Sequence, residues 1–335
     1  MPSPDFDETG LIGRQKDIEE LKGLILRNQV VTLIGAGGIG KSALMLKVAY
    51  DIVDMDKLCH FDIVIWVSAK TTALTARGIE EIKGALSDYS NIISGIAKQL
   101  DKAMSSVEEN IITIMEYLEV FKVLLIIDNL ETIQSQSINE FIREAQMKCK
   151  IAITSRIGLG ELEYRRAVSG LSGIDCAKMI REIAFNRNNR DLEFLPQNSL
   201  VDIADKLHYN PLAVKWFVNS VVLGKNPNEV LARKDDLLEY CLENVYDKLN
   251  IQSLKVLDTI RSARRSLSEA EIIFLSEMEP LSCRQGILGL LTTTFVIREM
   301  KTDGVGQQTI YKVADFPNEY LLKHHPVSVE SVKNV

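Results

Sequence analysis

No stretch of this sequence approaches the roughly 20 consecutive apolar residues that a membrane-spanning helix needs. The opening MPSPDFDETG lacks the basic segment and apolar core of a secretory leader. Cysteine is scarce: Cys59, Cys149, Cys176, Cys241 and Cys283 are odd in number, far apart and never in CxxC spacing. That argues against a disulfide framework or a zinc site, and predicts packing thiols in a soluble protein of the reducing cytoplasm. Missing too is any long basic run. The net charge of −7 is spread over both signs, so no broad surface for a nucleic-acid backbone is offered. Internal repeats and low-complexity tracts are absent. What remains is an ordinary globular composition, 335 residues with 46% hydrophobic and 25% charged, enough for two or three domains.

The first half alternates helical periodicity with short β-branched apolar runs. Asp17 to Arg27 has helical spacing, Val30 to Ile34 reads as a strand, and Ala43 to Val53 as a helix. Phe61 to Val67, Lys122 to Ile127 and Lys150 to Thr154 are further strands of the kind buried on both faces of a parallel sheet. This predicts an α/β fold with a doubly wound parallel sheet. Residues 69–121 form an insertion that is mostly helical by pattern. After about Gly170 strand signals stop, and 172–185, 199–207, 211–222 and 235–248 carry helical spacing. Helices at 250–262, 268–277 and 282–292, then strands at 294–300 and 308–313 joined by the glycine-bearing turn 301–306, describe a winged helix. The expected domains are therefore 1–169 (α/β), 170–245 (all-α) and 246–327 (winged helix), with a tail at 328–335.

Chemistry concentrates in GAGGIGKS, which matches GxxxxGK[ST] at Gly35, Gly40, Lys41 and Ser42, after a strand and before a helix. Glycine lets successive N–H groups, here of Gly35, Gly37, Gly38, Ile39 and Gly40, turn toward phosphate oxygens. The helix start at Lys41, Ser42 and Ala43 adds its partial positive charge. Lys41 can reach the β and γ phosphates, and the Ser42 hydroxyl can meet Mg²⁺. Together these predict a cradle for ATP or ADP with Mg²⁺. In VLLIIDNLE, Asp128 ends an apolar strand, where it would join Ser42 as a Mg²⁺ ligand and act in catalysis. Asn129 follows where many ATPases carry a second acid; asparagine can orient a water but not take its proton. Glu131 is the candidate base in its place, the alternative being a solvated surface acid. In KIAITSR the polar end Thr154-Ser155-Arg156 faces the ligand crevice of such a sheet. Arg156 could meet a γ-phosphate, or could instead sit in a surface ion pair.

In combination these motifs resemble the NB-ARC branch of the STAND ATPases, the signal-transducing switches found in plant immune receptors, apoptosome scaffolds and bacterial defence proteins. The resemblance rests on LIGRQKDIEEL ahead of the first strand, GAGGIGKS, FDIVIWVSAK, LLIIDNLE with AITSR, and Asn210-Pro211-Leu212-Ala213, in order over residues 11–220. It implies that Leu11, Ile12 and Arg14 line an adenine pocket and that Pro211 packs on the adenine. It implies a regulatory switch, closed with ADP and opened by exchange for ATP, with self-association in the ATP state. Sensor and effector parts of such switches are not in this stretch. It is either the core of a longer protein or a compact member whose partners are encoded separately. One departure stands out: where the family's winged helix carries Met-His-Asp, this chain has Val313-Ala314-Asp315, and alanine cannot make the histidine's contact to ADP.

A competing reading is a winged-helix DNA-binding ATPase of the origin-recognition or transcription-regulator type. Its reading helix would be Ser282 to Leu291, where Arg284 and Gln285 are the only basic or amide side chains. Base and phosphate readout needs more positive charge than that. A metabolic kinase fits less well still, since no acceptor site is visible.

Overall fold

The computed structural model describes residues 1–2, 10–54, 61–69, 72–75, 78–81, 88–100, 106–132, 136–159, 163–232, 246, 249–293, 295–303 and 306–327. The chain divides into two compact units, Met1–Ala232 and Arg233–Val335. The expected boundary between the α/β part and the all-α part, at 169/170, therefore falls inside the first unit.

In that unit the apolar runs become one parallel sheet. Its strands are β1 (Val30–Ile34), β2 (Ile63–Ser68), β5 (Val123–Asp128), β6 (Lys150–Ser155) and β7 (Tyr164–Ala167), in the order β2-β5-β6-β1-β7. Because side chains alternate along a strand, each strand feeds two cores. Val31, Leu33, Leu124, Ile126 and Ala152 pack under α1 (Gln15–Arg27) and α2 (Lys41–Val53). Val30, Leu125, Ile127, Ile151 and Ile153 pack under α3 (Tyr89–Gln99), α4 (Val107–Val120) and α5 (Gln136–Ala145). Strands β1 and β5 are buried at every position, which is why they read as unbroken apolar runs rather than alternating ones.

Two features escape the sequence pattern. Strand β7, YRRA, is polar because it lies at the sheet edge, with a strand on one side only among the described residues. Its Arg166 bonds Asp17 and Glu20 of α1, at 2.8 and 2.9 Å. The insertion 69–121 is helical at α3 and α4 but also contains a hairpin of β3 (Thr72–Thr75) with β4 (Gly78–Glu81).

The all-α part comprises α6 (Gly173–Asn186), α7 (Arg190–Glu193), α8 (Gln197–Lys206), α9 (Pro211–Val222) and α10 (Pro227–Ala232). Residues 235–245 and 247–248, most of the expected helix at 235–248, lie outside the described residues. So do Cys59, Cys241 and the tail 328–335. The other three cysteines are buried, and burial pushes the Cys149 and Cys176 thiols up to about 12 and that of Cys283 to about 11. They are packing groups, as expected.

The second unit runs α11 (Ile251–Ala263), β8 (Leu267–Ser268), α12 (Glu269–Ser276), α13 (Pro280–Thr292), β9 (Val296–Asp303), β10 (Gly306–Val313) and α14 (Asp315–His324). Three helices and a hairpin, with β8 added to give a sheet ordered β8-β10-β9, are the elements expected there. Strand pairing runs as far as Gly306 with Asp303, so the strands are longer than their apolar runs suggest. Residues 304–305 of the expected turn lie outside the described residues. A capping box starts α12: Ser268 Oγ accepts from the Glu271 amide, and the Glu271 carboxylate accepts from the Ser268 amide. That amide first, then Arg265 and the Ser268 hydroxyl, hold the Glu271 carboxyl down at about 2. A lowered folded-state value means the contribution is present above the unfolded value near 4.5 and is lost as pH falls toward 2. Replacing Glu271 with glutamine should therefore flatten the acid limb of a urea-midpoint-versus-pH curve in that window. An unchanged limb would show that the cap contributes nothing there.

Candidate functional site

The loop 35–40 leaves the C-terminal end of β1 and enters α2, and its backbone explains its glycines. Gly38 and Gly40 take φ +76° and +98°, which L side chains rarely adopt. Gly38 has a second constraint: a Cβ there would lie 2.6 Å from Leu212 Cβ and 2.8 Å from Asn210 Oδ1. Lys41 is buried, and its Nζ donates back to the loop carbonyls of Gly35 (2.7 Å) and Ala36 (3.0 Å).

Hydroxyls converge on Asp128 at the end of β5. Ser42 Oγ donates to Oδ1 at 2.6 Å, Thr154 Oγ1 to the same oxygen at 2.5 Å, and Ser68 Oγ to Oδ2 at 2.9 Å. The four come from α2, β6, β2 and β5, so the sheet order brings them together. The motifs alone pair Ser42 with Asp128. They do not single out Ser68, although its place at the end of an apolar strand is an available signal. Asn129 sits at φ 66°, a conformation asparagine tolerates, and its amide donates to Thr154 Oγ1 at 2.9 Å.

Glu131 and Arg156 are both buried and bonded to each other. Arg156 Nε lies 3.0 Å from Glu131 Oε1, and the Arg156 amide donates to Oε2 at 3.1 Å. The candidate base and the candidate phosphate sensor are thus mutual partners, an arrangement that neither motif reveals when read separately.

Arg14 is also buried. Its guanidinium donates to the Ile39 carbonyl (3.0 Å), the Ser169 carbonyl (2.8 Å) and Asp17 (3.0 Å). It ties the lead-in turn to the phosphate loop and to the strand exit after β7. Leu11 packs against the α1–α2 core, while Ile12 lies half-buried in the turn before α1 and Ala43 in the first turn of α2. Pro211 opens α9, where a missing N–H costs nothing. Beside it, Asn210 Nδ2 donates to the Gly37 carbonyl at 2.9 Å, and the Leu212 amide donates to the Gly38 carbonyl at 3.1 Å. Asn210 Oδ1 caps its own helix by accepting from Leu212 and Ala213. One buried side chain thus caps α9 and grips the loop, a role the motif NPLA alone does not reveal.

In the second unit, Ala314 stands just before α14, and its amide donates to the Phe295 carbonyl at 3.0 Å. Arg284 on α13 is paired with Glu269 at 2.7 Å. Among the described residues no helix is long and apolar enough to cross a membrane.

The family model of the NB-ARC domain matches residues 14–162. A probable disease resistance RPP8-like protein 4 of Arabidopsis thaliana is 41% identical over 68 residues, which are 19% of this chain and 7% of that protein. A solved Walker-type ATPase of Pyrococcus abyssi superposes with TM-score 0.58 at 12% identity, covering 96% of this chain and 99% of that one. The Aeropyrum pernix ORC1 protein in complex with DNA covers 97% of this chain and 95% of its own at 14% identity, with a TM-score of 0.43.

Proposed function

Starting from an NB-ARC-type P-loop ATPase domain over residues 14–162, we propose that this chain is a regulatory switch that is closed with ADP and opened by exchange for ATP. The observation that carries the proposal is the direct grip of α9 on the phosphate loop, through Asn210 and Leu212 on the Gly37 and Gly38 carbonyls. A nucleotide that changes the loop's conformation must then be felt by the all-α part, and differential affinity for two states is what a ligand-operated switch requires. Opening would expose a self-association surface and drive effector signalling, as in defence; the RPP8-like match points to that setting. Division into P-loop, helical and winged-helix parts belongs to the same proposal.

The residues fit a magnesium nucleotide. Lys41 would transfer its ammonium from the loop carbonyls to the β and γ phosphates, and loop amides with the α2 N-terminus would hold the β-phosphate. Mg²⁺ asks for hard oxygen ligands, one or two carboxylates completed by phosphate and water; Ser42 and Asp128 supply that set. When bound, it neutralises phosphate charge. Leu11, Ile12, Arg14 and Pro211 are assigned to the adenine side. Arg156 would leave Glu131 for the γ-phosphate, and the Glu131 carboxylate would then be able to accept a proton from the attacking water.

That sequence of exchanges makes hydrolysis slow. Turnover should lie well below the usual range of about 1–10³ s⁻¹, and Glu131→Gln should lower it further, whereas Asn129→Ala should do less. Steady-state phosphate release measures both, and turnover of tens per second would overturn the switch reading. Direct support would come from mass spectrometry of the nucleotide released by protein purified without added ligand. A DNA-reading role is disfavoured by the pairing of Arg284 with Glu269, which ties up the only basic side chain on α13.

A further inference from the structure

The second unit contains a cavity of about 590 Å³. Its wall combines Ile260, Val313 and Leu322 with Arg261, Arg264, Arg265 and Lys312. Cations gathered around one concavity reverse the sign of a chain whose net charge is −7.

The four are not equivalent. Arg261 is structural: it is buried, donates to the Leu321 carbonyl at 3.0 Å and lies 3.7 Å from Asp258. Arg265 is paired with Glu271 (2.7 Å) and Lys312 with Glu299 (3.0 Å), both at least partly open to solvent. Exposed pairs contribute little and yield to a more highly charged partner. Arg264 is exposed, and its guanidinium has no hydrogen bond or ion pair among the described residues.

Arg264 also occupies the left-handed end position of α11, at φ 52°, where glycine or asparagine is the usual choice. Arginine there is a worse cap than glycine, so capping does not explain it. Attraction of cations to a helix C-terminus is the bland account of such a cluster. It does not reach Lys312, which comes from β10 and not from the helix.

We propose that this cavity binds a small soluble molecule carrying a phosphate monoester. Arg264, Arg265 and Lys312 take the dianion, and Ile260, Val313 and Leu322 receive the apolar body. Guanidinium groups match phosphate oxygens as forks, with an ammonium as a point charge beside them. The volume is that of a small-molecule site, a concave apolar wall with a few convergent polar groups. Nucleic-acid backbone, by contrast, is held along an extended basic surface.

Phenyl phosphate is the minimal probe. It would be titrated calorimetrically into the full chain with the phosphate loop saturated by ADP. Saturable binding is expected, at least tenfold weaker in Arg264→Glu and Lys312→Glu and unchanged in Lys206→Glu on α8. Phenol, without the phosphate, should not bind. Arg264→Gly separates recognition from folding, because it should lose the ligand while melting no lower than the wild type. The proposal is overturned if phenyl phosphate fails to saturate, or if binding survives both charge reversals. Displacement by random-sequence duplex DNA would assign the cations to nucleic acid. A loss of ADP affinity in Arg264→Glu would assign them to the nucleotide of the phosphate loop, and either result overturns a separate site.

Discussion

Lys41→Ala is expected to weaken both ADP and ATP binding about ten- to a hundredfold. Loss of a charge-assisted contact costs about 1.5–3 kcal/mol, and about 1.4 kcal/mol is one decade of affinity. The ammonium is already at the loop, 2.7 Å from the Gly35 carbonyl and 3.0 Å from that of Ala36. A phosphate therefore has to compete only with two neutral acceptors, and a bare charge against a dianion favours the exchange. Titration with a fluorescent nucleotide measures the effect. A parallel thermal melt separates it from unfolding, since α2 and β1 keep their apolar packing when the amine is removed. An unchanged dissociation constant for both nucleotides would remove the cradle assignment.

Gly38→Ala should act on stability and binding together. Alanine at φ +76° pays the left-handed cost of about 1–2 kcal/mol. In addition its Cβ would lie 2.6 Å from Leu212 Cβ, so loop and α9 must move apart, and overpacking of that kind costs about 1–3 kcal/mol. Gly224 makes the control: it has φ +88°, and a Cβ added there would meet nothing within 4 Å, so Gly224→Ala bears the first cost alone. By differential scanning calorimetry Gly38→Ala should melt several degrees below Gly224→Ala, and it should bind ADP poorly. Equal melting points with normal ADP binding would mean that α9 does not seat on the loop as described.

How much of this is legible in the sequence follows from burial. Strands β1, β5 and β6 are central, so their composition is unmixed and their ends can be read to within a residue or two. The edge strand β7 cannot be read, because an edge tolerates the two arginines that hide it. Within the site, the residues fixed by local spacing are evident: Gly35 to Ser42, and Asp128 at its strand end. What spacing cannot carry is partnership across the fold. Glu131 and Arg156 lie 25 positions apart and Asn210 lies 173 from Gly37, and each of these pairings depends on the strand order and on where α9 lands. Ser68 belongs to the same class, since a serine ending a strand becomes informative only once β5 is known to lie beside it.

The polar junction between α9 and the loop consists of two hydrogen bonds, Asn210 to the Gly37 carbonyl and Leu212 to that of Gly38. In water each contributes a net of about 0.5–1.5 kcal/mol, because the carbonyls find solvent when released. Asn210 loses nothing else on release, since its cap on α9 uses the other atom of its amide. The threshold for parting the two elements is therefore about 1–3 kcal/mol in its polar terms, the usual size of a coupling free energy between two sites. A ligand that prefers the seated loop by only ten- to a hundredfold is enough to hold it shut, and one that binds both arrangements equally leaves the balance where it was, however tightly it binds.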